Sequence, residues 1–162
     1  MATNQELLQE FEIQARSAIG VEPLMQLIAR RLHEEKARYN WVGFYLMEDT
    51  TPKTLRLGPY VGSFVPIERI PLDKGICGAA ATQKRTVAVN NVSADPRYIG
   101  SGMVKSNLVT PIVVKGEVVA ELDVESYFVD TFPSGDQGFI ESCAAVVARS
   151  MEKDAQEKKG KR

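Results

Sequence analysis

Thiols and closely spaced carboxylates are the chemically capable groups of this sequence. Cys77 stands in Gly75-Ile76-Cys77-Gly78, just inside the start of an expected short helix. Backbone amides at a helix N-terminus stabilise a thiolate and lower its pKa, so the position suits a reactive or resolving thiol. A small buried residue in a tight glycine-rich turn is the alternative reading. The second cysteine, Cys143, falls in the middle of the last expected helix, where core or interface packing accounts for it. Asp123 and Glu125 are spaced i, i+2, so on a strand both point to one face. Facing inward they need cations or donors, which a bound ammonium group supplies. Facing outward they are simply solvated, and Leu122 and Val124 form the core face. Trp41 and Tyr45 lie four apart on an expected strand and share a face; each has an apolar body and a polar handle suited to a pocket wall, with Trp41 as plain core the alternative. His33 is the single histidine, which makes a His-dependent metal site or a Ser/His dyad hard to build.

The elements that must position these groups follow from periodicity. Leu7, Leu8, Phe11, Ala15, Ala18 and Ile19 recur near 3.6 spacing and predict a helix over 4–19, with Gly20 as its stop. Pro23, Leu24, Leu27, Ile28 and Leu32 predict a second helix over 23–37. Residues 41–46 and 54–60 read as a hairpin joined by Thr50-Thr51-Pro52-Lys53. Strands are also predicted over 65–71, 86–89, 108–114 and 118–124, the last two joined by a tight connection at Lys115-Gly116-Glu117. A short helix is predicted over 75–83, where Gly78-Ala79-Ala80-Ala81 allows close packing. Residues 90–106 read as a long polar loop, a kind of segment that is usually functional or mobile. Ser134-Gly135-Asp136-Gln137 looks like a capping box opening a last helix to about residue 152. Strands clustered between helices predict an α+β fold with an antiparallel sheet covered by helices.

Composition narrows the function classes. The 162 residues suit one compact domain, expected over 1–157, with 158–162 a basic disordered tail. A net charge of -1 offers no broad footprint for nucleic acid. No apolar run is long enough for a membrane span, and the first residues lack a basic segment followed by an apolar one. Two cysteines are too few for a disulfide framework, and the cytoplasm is the expected location.

Four motifs carry a resemblance. Asn40-Trp41-Val42-Gly43-Phe44-Tyr45, Leu57-Gly58-Pro59-Tyr60 with Gly62, Gly75-Ile76-Cys77-Gly78 with Ala80, and Leu122-Asp123-Val124-Glu125-Ser126 occur in that order. They cover roughly half the chain and are similar to the motifs of free methionine-(R)-sulfoxide reductases, enzymes built on a single GAF domain. The resemblance implies a central antiparallel sheet, with N- and C-terminal helices on one face and a ligand pocket under loops on the other. It places the family's attacking cysteine at Ser101, its resolving cysteine at Cys77 and an accessory one at Ile67. It places a substrate-binding carboxylate at Asn107, two more at Asp123 and Glu125, and the pocket aromatics at Trp41 and Tyr45. Tyr98-Ile99-Gly100 stands where the family reads His-Ile-Ala. One residue fewer between Ser101 and Ser106 leaves the register of that loop open.

Ser101 is the critical departure. Sulfoxide reduction needs a thiolate, and a hydroxyl is far less acidic and cannot enter a disulfide cycle. Ser101 is therefore expected to hydrogen-bond a ligand or to be a plain loop residue. Asn107 in place of a carboxylate is expected to weaken binding of a cation and to permit an anion or neutral ligand. The expectation is a non-catalytic module that binds a small polar metabolite through Trp41, Tyr45, Tyr98, Ile99, Ser101, Asn107, Asp123 and Glu125. The alternatives are a reductase working through Cys77 with an external thiol, and a dimeric interaction module without ligand. No cofactor and no metal are expected. A homodimer through the terminal helices and a signalling partner protein are expected; nucleic acid and membrane are not.

Overall fold

The computed structural model describes residues 1–160. Six strands form one antiparallel sheet, β1 (Trp41–Glu48), β2 (Thr54–Gly62), β3 (Arg69–Pro71), β4 (Val87–Val89), β5 (Ser106–Val114) and β6 (Glu117–Ser126), in the order β3-β2-β1-β6-β5-β4. Four helices accompany it: α1 (Asn4–Arg16), α2 (Val21–Glu35), α3 (Gly75–Gln83) and α4 (Ser134–Gly160). The expected α+β architecture is present, and its two faces differ in kind.

Strand alternation sorts the residues of each strand between the faces. Val42 and Phe44 of β1 and Ala120, Leu122 and Val124 of β6 point to one side and pack under α1, α2 and α4. Leu7, Phe11, Ile28, Ile140 and Val147 meet them there, all fully buried. Each such side chain contributes roughly 1.5–3 kcal/mol of transfer free energy, so this layer supplies most of the stability. Trp41 and Tyr45 of β1 point the other way, into a second apolar layer with Ile70, Ile76, Cys77, Ala80 and Val109. That second face is covered only by α3 and by the chain between the strands, which leaves room for a cavity.

Local rules account for most element ends and for the departures from expectation. Thr3 caps α1 and forms a reciprocal box with Glu6. The helix then stops at Arg16 rather than at 19, and Gly20 is the cap residue of α2, at φ 88. That left-handed value admits glycine without strain. Helix α3 matches its expected bounds. Residues 65–71 yield only three strand residues, because Pro66 has no N–H for a ladder and Val65 is 95% exposed. Strand β6 is longer than expected, beginning at Glu117 and ending at Ser126. The loop over 90–106 contains a 3-10 turn at Val92–Ala94 and is tied to its own end by the Val92 N–H donating to the Lys105 carbonyl at 2.8 Å. Ser134 is the first residue of α4, and the Asp136 carboxylate accepts from the Tyr39 hydroxyl at 2.8 Å. Helix α4 continues to Gly160, so Lys158 and Lys159 of the expected disordered tail are helical; Lys161 and Arg162 lie outside the described residues. No helix among the described residues is long and apolar enough to cross a membrane.

Candidate functional site

A cavity of about 390 Å³ opens on the α3 face of the sheet. Its floor is the sheet itself, through Tyr45 of β1, Asn107 of β5, and Asp123 and Glu125 of β6. Gly75, Ile76 and Cys77 at the start of α3 form one wall. Phe64, Val65, Pro66 and Ile67 form a second, and Ile99, Gly100 and Ser101 of the long loop form a third. The walls are mostly apolar and the floor is acidic. That pattern suits a small molecule with a cationic group and a short apolar side chain.

Antiparallel register brings the floor together. Asn107 pairs with Glu125 across β5 and β6, and Asp123 pairs with Gly43 across β6 and β1. The Asn107 side-chain amide donates to Asp123 Oδ1 at 2.6 Å and to the Val124 carbonyl at 3.0 Å. Its two hydrogens are thereby engaged, so Asn107 steadies Asp123 rather than presenting a free donor to an anion. Cys77 Sγ lies 3.8 Å from Asp123 Oδ2, within reach of an S–H donated to the carboxylate. Tyr98 does not line the cavity, but its hydroxyl lies 3.0 Å from Glu125 Oε1 and 3.1 Å from the Ser101 carbonyl. The Tyr45 hydroxyl donates to the Ile67 carbonyl at 2.8 Å and pins the second wall to the sheet.

Burial governs the charge state of this floor. Burial pushes Asp123 up to about 7, with the Asn107 hydrogen bond working against the rise. Burial, and then the charge of Asp123, push Glu125 well above the usual carboxylate range. Both carboxyls are thus pushed upward by burial on one floor, where a bound cation would favour their ionised forms. Burial also pushes the Cys77 thiol well up, followed by the charges of Asp123, Glu121 and Glu125. The expectation of a thiol acidified by the α3 N-terminus is thus corrected. Desolvation and three acidic neighbours outweigh the helix amides, whose effect is typically below about 1 kcal/mol for a surface terminus.

Other expected site residues are placed differently. Trp41 is fully buried and stands outside the cavity wall, stacked between Tyr60 at 5.4 Å and Phe64 at 5.7 Å. It supports the Phe64 wall from behind. Ser101 lines the cavity, and its hydroxyl accepts from the Met103 N–H at 3.2 Å. His33 meets the Tyr39 carbonyl through Nδ1 at 2.9 Å, in a helix packed on the opposite face of the sheet, so it cannot serve Ser101 as a base. Cys143 is buried on that same far face and cannot form a pair with Cys77. Glu121 was missed. It is fully buried, two residues before Asp123 on the same face of β6, and neither carboxylate oxygen has a hydrogen-bond partner among the described residues. The alternation Glu121-Leu122-Asp123-Val124-Glu125 carries the signal, since it puts three acids on one face.

Comparison with known proteins agrees with the motifs. The GAF domain family model matches residues 20–151. The free methionine-R-sulfoxide reductase of Escherichia coli is 34% identical over 121 residues, which are 74% of this chain and 71% of that protein. The enzyme of the same name from Saccharomyces cerevisiae is 34% identical over 113 residues, 68% of this chain; the chain spans 62% of the length of that relative. Among solved structures, the free methionine-R-sulfoxide reductase of Neisseria meningitidis in complex with its substrate superposes with a TM-score of 0.89 at 28% identity, covering 97% of this chain and 96% of the other. These likenesses overturn the expectation of a non-catalytic metabolite-binding module, because the relatives and the structural neighbour alike are named reductases. The chain belongs to the GAF domain family and is homologous to its free methionine-R-sulfoxide reductases.

Proposed function

We propose that this protein reduces free methionine-R-sulfoxide, with Cys77 as the attacking thiol and an external thiol as reductant. One observation carries the reading. The Cys77 sulfur lies in the cavity wall, 3.8 Å from Asp123 Oδ2, and the buried carboxyl of Glu125 stands beside them on the same floor. The relatives' named substrate supplies the matching groups: an ammonium for the acidic floor and a short sulfoxide side chain for the apolar walls.

The proton inventory closes on these residues. Glu125, steadied by the Tyr98 hydroxyl, receives the ammonium of the substrate. Asp123 takes the Cys77 proton as Sγ attacks the sulfoxide sulfur, and passes that proton to the sulfoxide oxygen. An Asp123 pushed up to about 7 is suited to both steps near neutral pH. Collapse of the adduct breaks the newly formed Sγ–S bond and the substrate S–O bond as the hydroxyl forms a bond to Sγ, which leaves methionine and a Cys77 sulfenic acid. One external thiol displaces water to form a mixed disulfide, and a second releases Cys77 and the oxidised reductant. Cys143 takes no part, because the sheet separates it from the cavity.

The test is turnover by the reduced protein with dithiothreitol and each sulfoxide epimer, with methionine read by chromatography. Methionine is expected from the R epimer, and Cys77→Ser is expected to abolish it. No methionine from wild type, or undiminished turnover by the folded variant, overturns the reading.

A further inference from the structure

Ser101 presents the cavity with an uncommitted hydroxyl hydrogen. Its Oγ accepts from the Met103 N–H at 3.2 Å, and its own O–H has no acceptor among the described residues. The other side-chain donors of the cavity are engaged. The Tyr45 hydroxyl donates to the Ile67 carbonyl, the Asn107 amide spends both hydrogens on Asp123 and Val124, and the Cys77 thiol is directed at Asp123. The two floor carboxyls have other work in the proposed reaction, Glu125 with the ammonium and Asp123 with the Cys77 proton.

The long loop is built to hold this serine in place. The Ser101 carbonyl accepts from the Val104 N–H at 3.2 Å and lies 3.1 Å from the Tyr98 hydroxyl. That hydroxyl lies 3.0 Å from Glu125 Oε1, so Tyr98 ties the serine to the floor. Gly100 lets the chain pass close to the tyrosine. Its φ is 142, and a Cβ there would lie 2.8 Å from the Tyr98 hydroxyl oxygen. Next to it, Ile99 packs on Gly75, where a Cβ would lie 3.0 Å from Ile99 Cγ1. The wall that carries Ser101 therefore abuts the wall that carries Cys77.

We propose that Ser101 recognises the sulfoxide oxygen, donating its free hydrogen to that atom while Cys77 attacks the adjoining sulfur. The inference rests on the reductase reading and names the part of the substrate that this residue reads. The sulfoxide oxygen is the negative end of the S–O dipole, and it gains charge as Sγ adds to sulfur. A donor already fixed at that place, between apolar walls, stabilises the developing charge without reorganising. Methionine and its sulfoxide share the ammonium and the α-carboxylate, so Glu125 does not tell substrate from product, and Ser101 does. A thiol at the same position would donate weakly and would act later, on the sulfenic acid, after methionine has left.

The test is binding, so it stands apart from turnover. The full chain carrying Cys77→Ala, which prevents oxygen transfer, is titrated calorimetrically with methionine-R-sulfoxide and with methionine, with and without Ser101→Ala. With Ser101 present, the sulfoxide is expected to bind roughly fivefold or more tighter than methionine, and Ser101→Ala is expected to remove that preference by weakening the sulfoxide alone. Ser101→Thr, which retains the hydroxyl, is expected to keep the preference. Ser101→Gly, which also lacks the hydroxyl, serves if the alanine variant does not fold. Equal affinities for the two ligands with Ser101 present overturn the assignment. An equal weakening of both by Ser101→Ala also overturns it, because the serine would then contact the part the ligands share. Failure of the reductase reading shows separately, as no methionine from wild type; a sulfoxide preference that depends on Ser101 would leave the assignment standing. A sulfoxide that does not bind at all removes both.

Discussion

Asp123→Asn should flatten the pH dependence of this protein's stability. The carboxyl of Asp123 is pushed from its ordinary 3.8 up to about 7 in the folded chain. In the unfolded chain it releases its proton near its ordinary value, so between those limits the folded state binds the extra proton. Stability therefore falls as pH rises, by about 1.4 kcal/mol per unit while the difference is complete. Roughly three units of difference amount to about 4 kcal/mol lost between pH 4 and pH 7. Glu121 and Glu125 are also pushed up by burial and add a loss of the same sign. The acids pulled down by arginine partners, Asp95 beside Arg97 and Glu34 beside Arg30, act oppositely, and their stabilisation is lost below the ordinary carboxylate range, outside this window. The assay is urea denaturation of the ligand-free protein at half-unit steps from pH 5 to 8. Wild type should lose stability steadily, and the variant should lose less by at least about 1.4 kcal/mol over the range. A wild-type stability that is flat or rises with pH would refute the reasoning, and so would equal slopes for the two proteins.

Ser101→Cys places a second thiol in the cavity that holds Cys77. It should raise turnover on methionine-R-sulfoxide by roughly tenfold or more, since an intramolecular thiol outcompetes a dilute external one. Stopping the reaction without reductant should trap a species lighter by two hydrogens in intact-mass spectra; a folded variant without that species and without added turnover would refute the placement of Ser101. Gly43→Ala tests the aromatic support behind the Phe64 wall. A Cβ there would lie 2.5 Å from the Trp41 ring and 2.7 Å from the Tyr60 Cβ. The crowding should cost about 1–3 kcal/mol in denaturant unfolding, and a loss below about 0.5 kcal/mol would show that the stack yields freely.

Most of the frame was legible because it is encoded locally. The alternation in residues 118–124 and the glycine-bounded run over 75–83 each specify an element without help from distant chain. The loop start at residue 90 and the acidic pair of β6 were legible for the same reason. What was not legible is tertiary. Trp41 shares a face with Tyr45, but whether it meets solvent, ligand or aromatic neighbours depends on Tyr60 and Phe64 folding back over it. The helix N-terminus at Cys77 is a local signal and it was read correctly, yet its effect on the thiol is overridden by acids that arrive from β6, some 46 residues later. Asn107 looked like a lost carboxylate and a gained donor; only the β5–β6 register reveals that its donors are engaged by Asp123 and Val124. Ser101 at the attacking position argued against catalysis, because a pattern reading weighs the departed residue more than the thiol that stays.

The same acids explain why a thiol so poorly disposed to ionise sits at the centre of the site. Three carboxyls and one thiol on a dry face carry an electrostatic penalty that apolar residues would avoid. In the proposed reaction, an ammonium held at Glu125 would offset part of that negative field. A cation close to the thiol offsets the acids around it, so ionisation of Cys77 would become easier when a substrate is present. The penalty of the empty site and the reactivity of the filled one are then two aspects of one charge arrangement. On this argument Cys77 needs no low intrinsic pKa, because its activation energy is drawn from the binding of a cation rather than from the α3 amides.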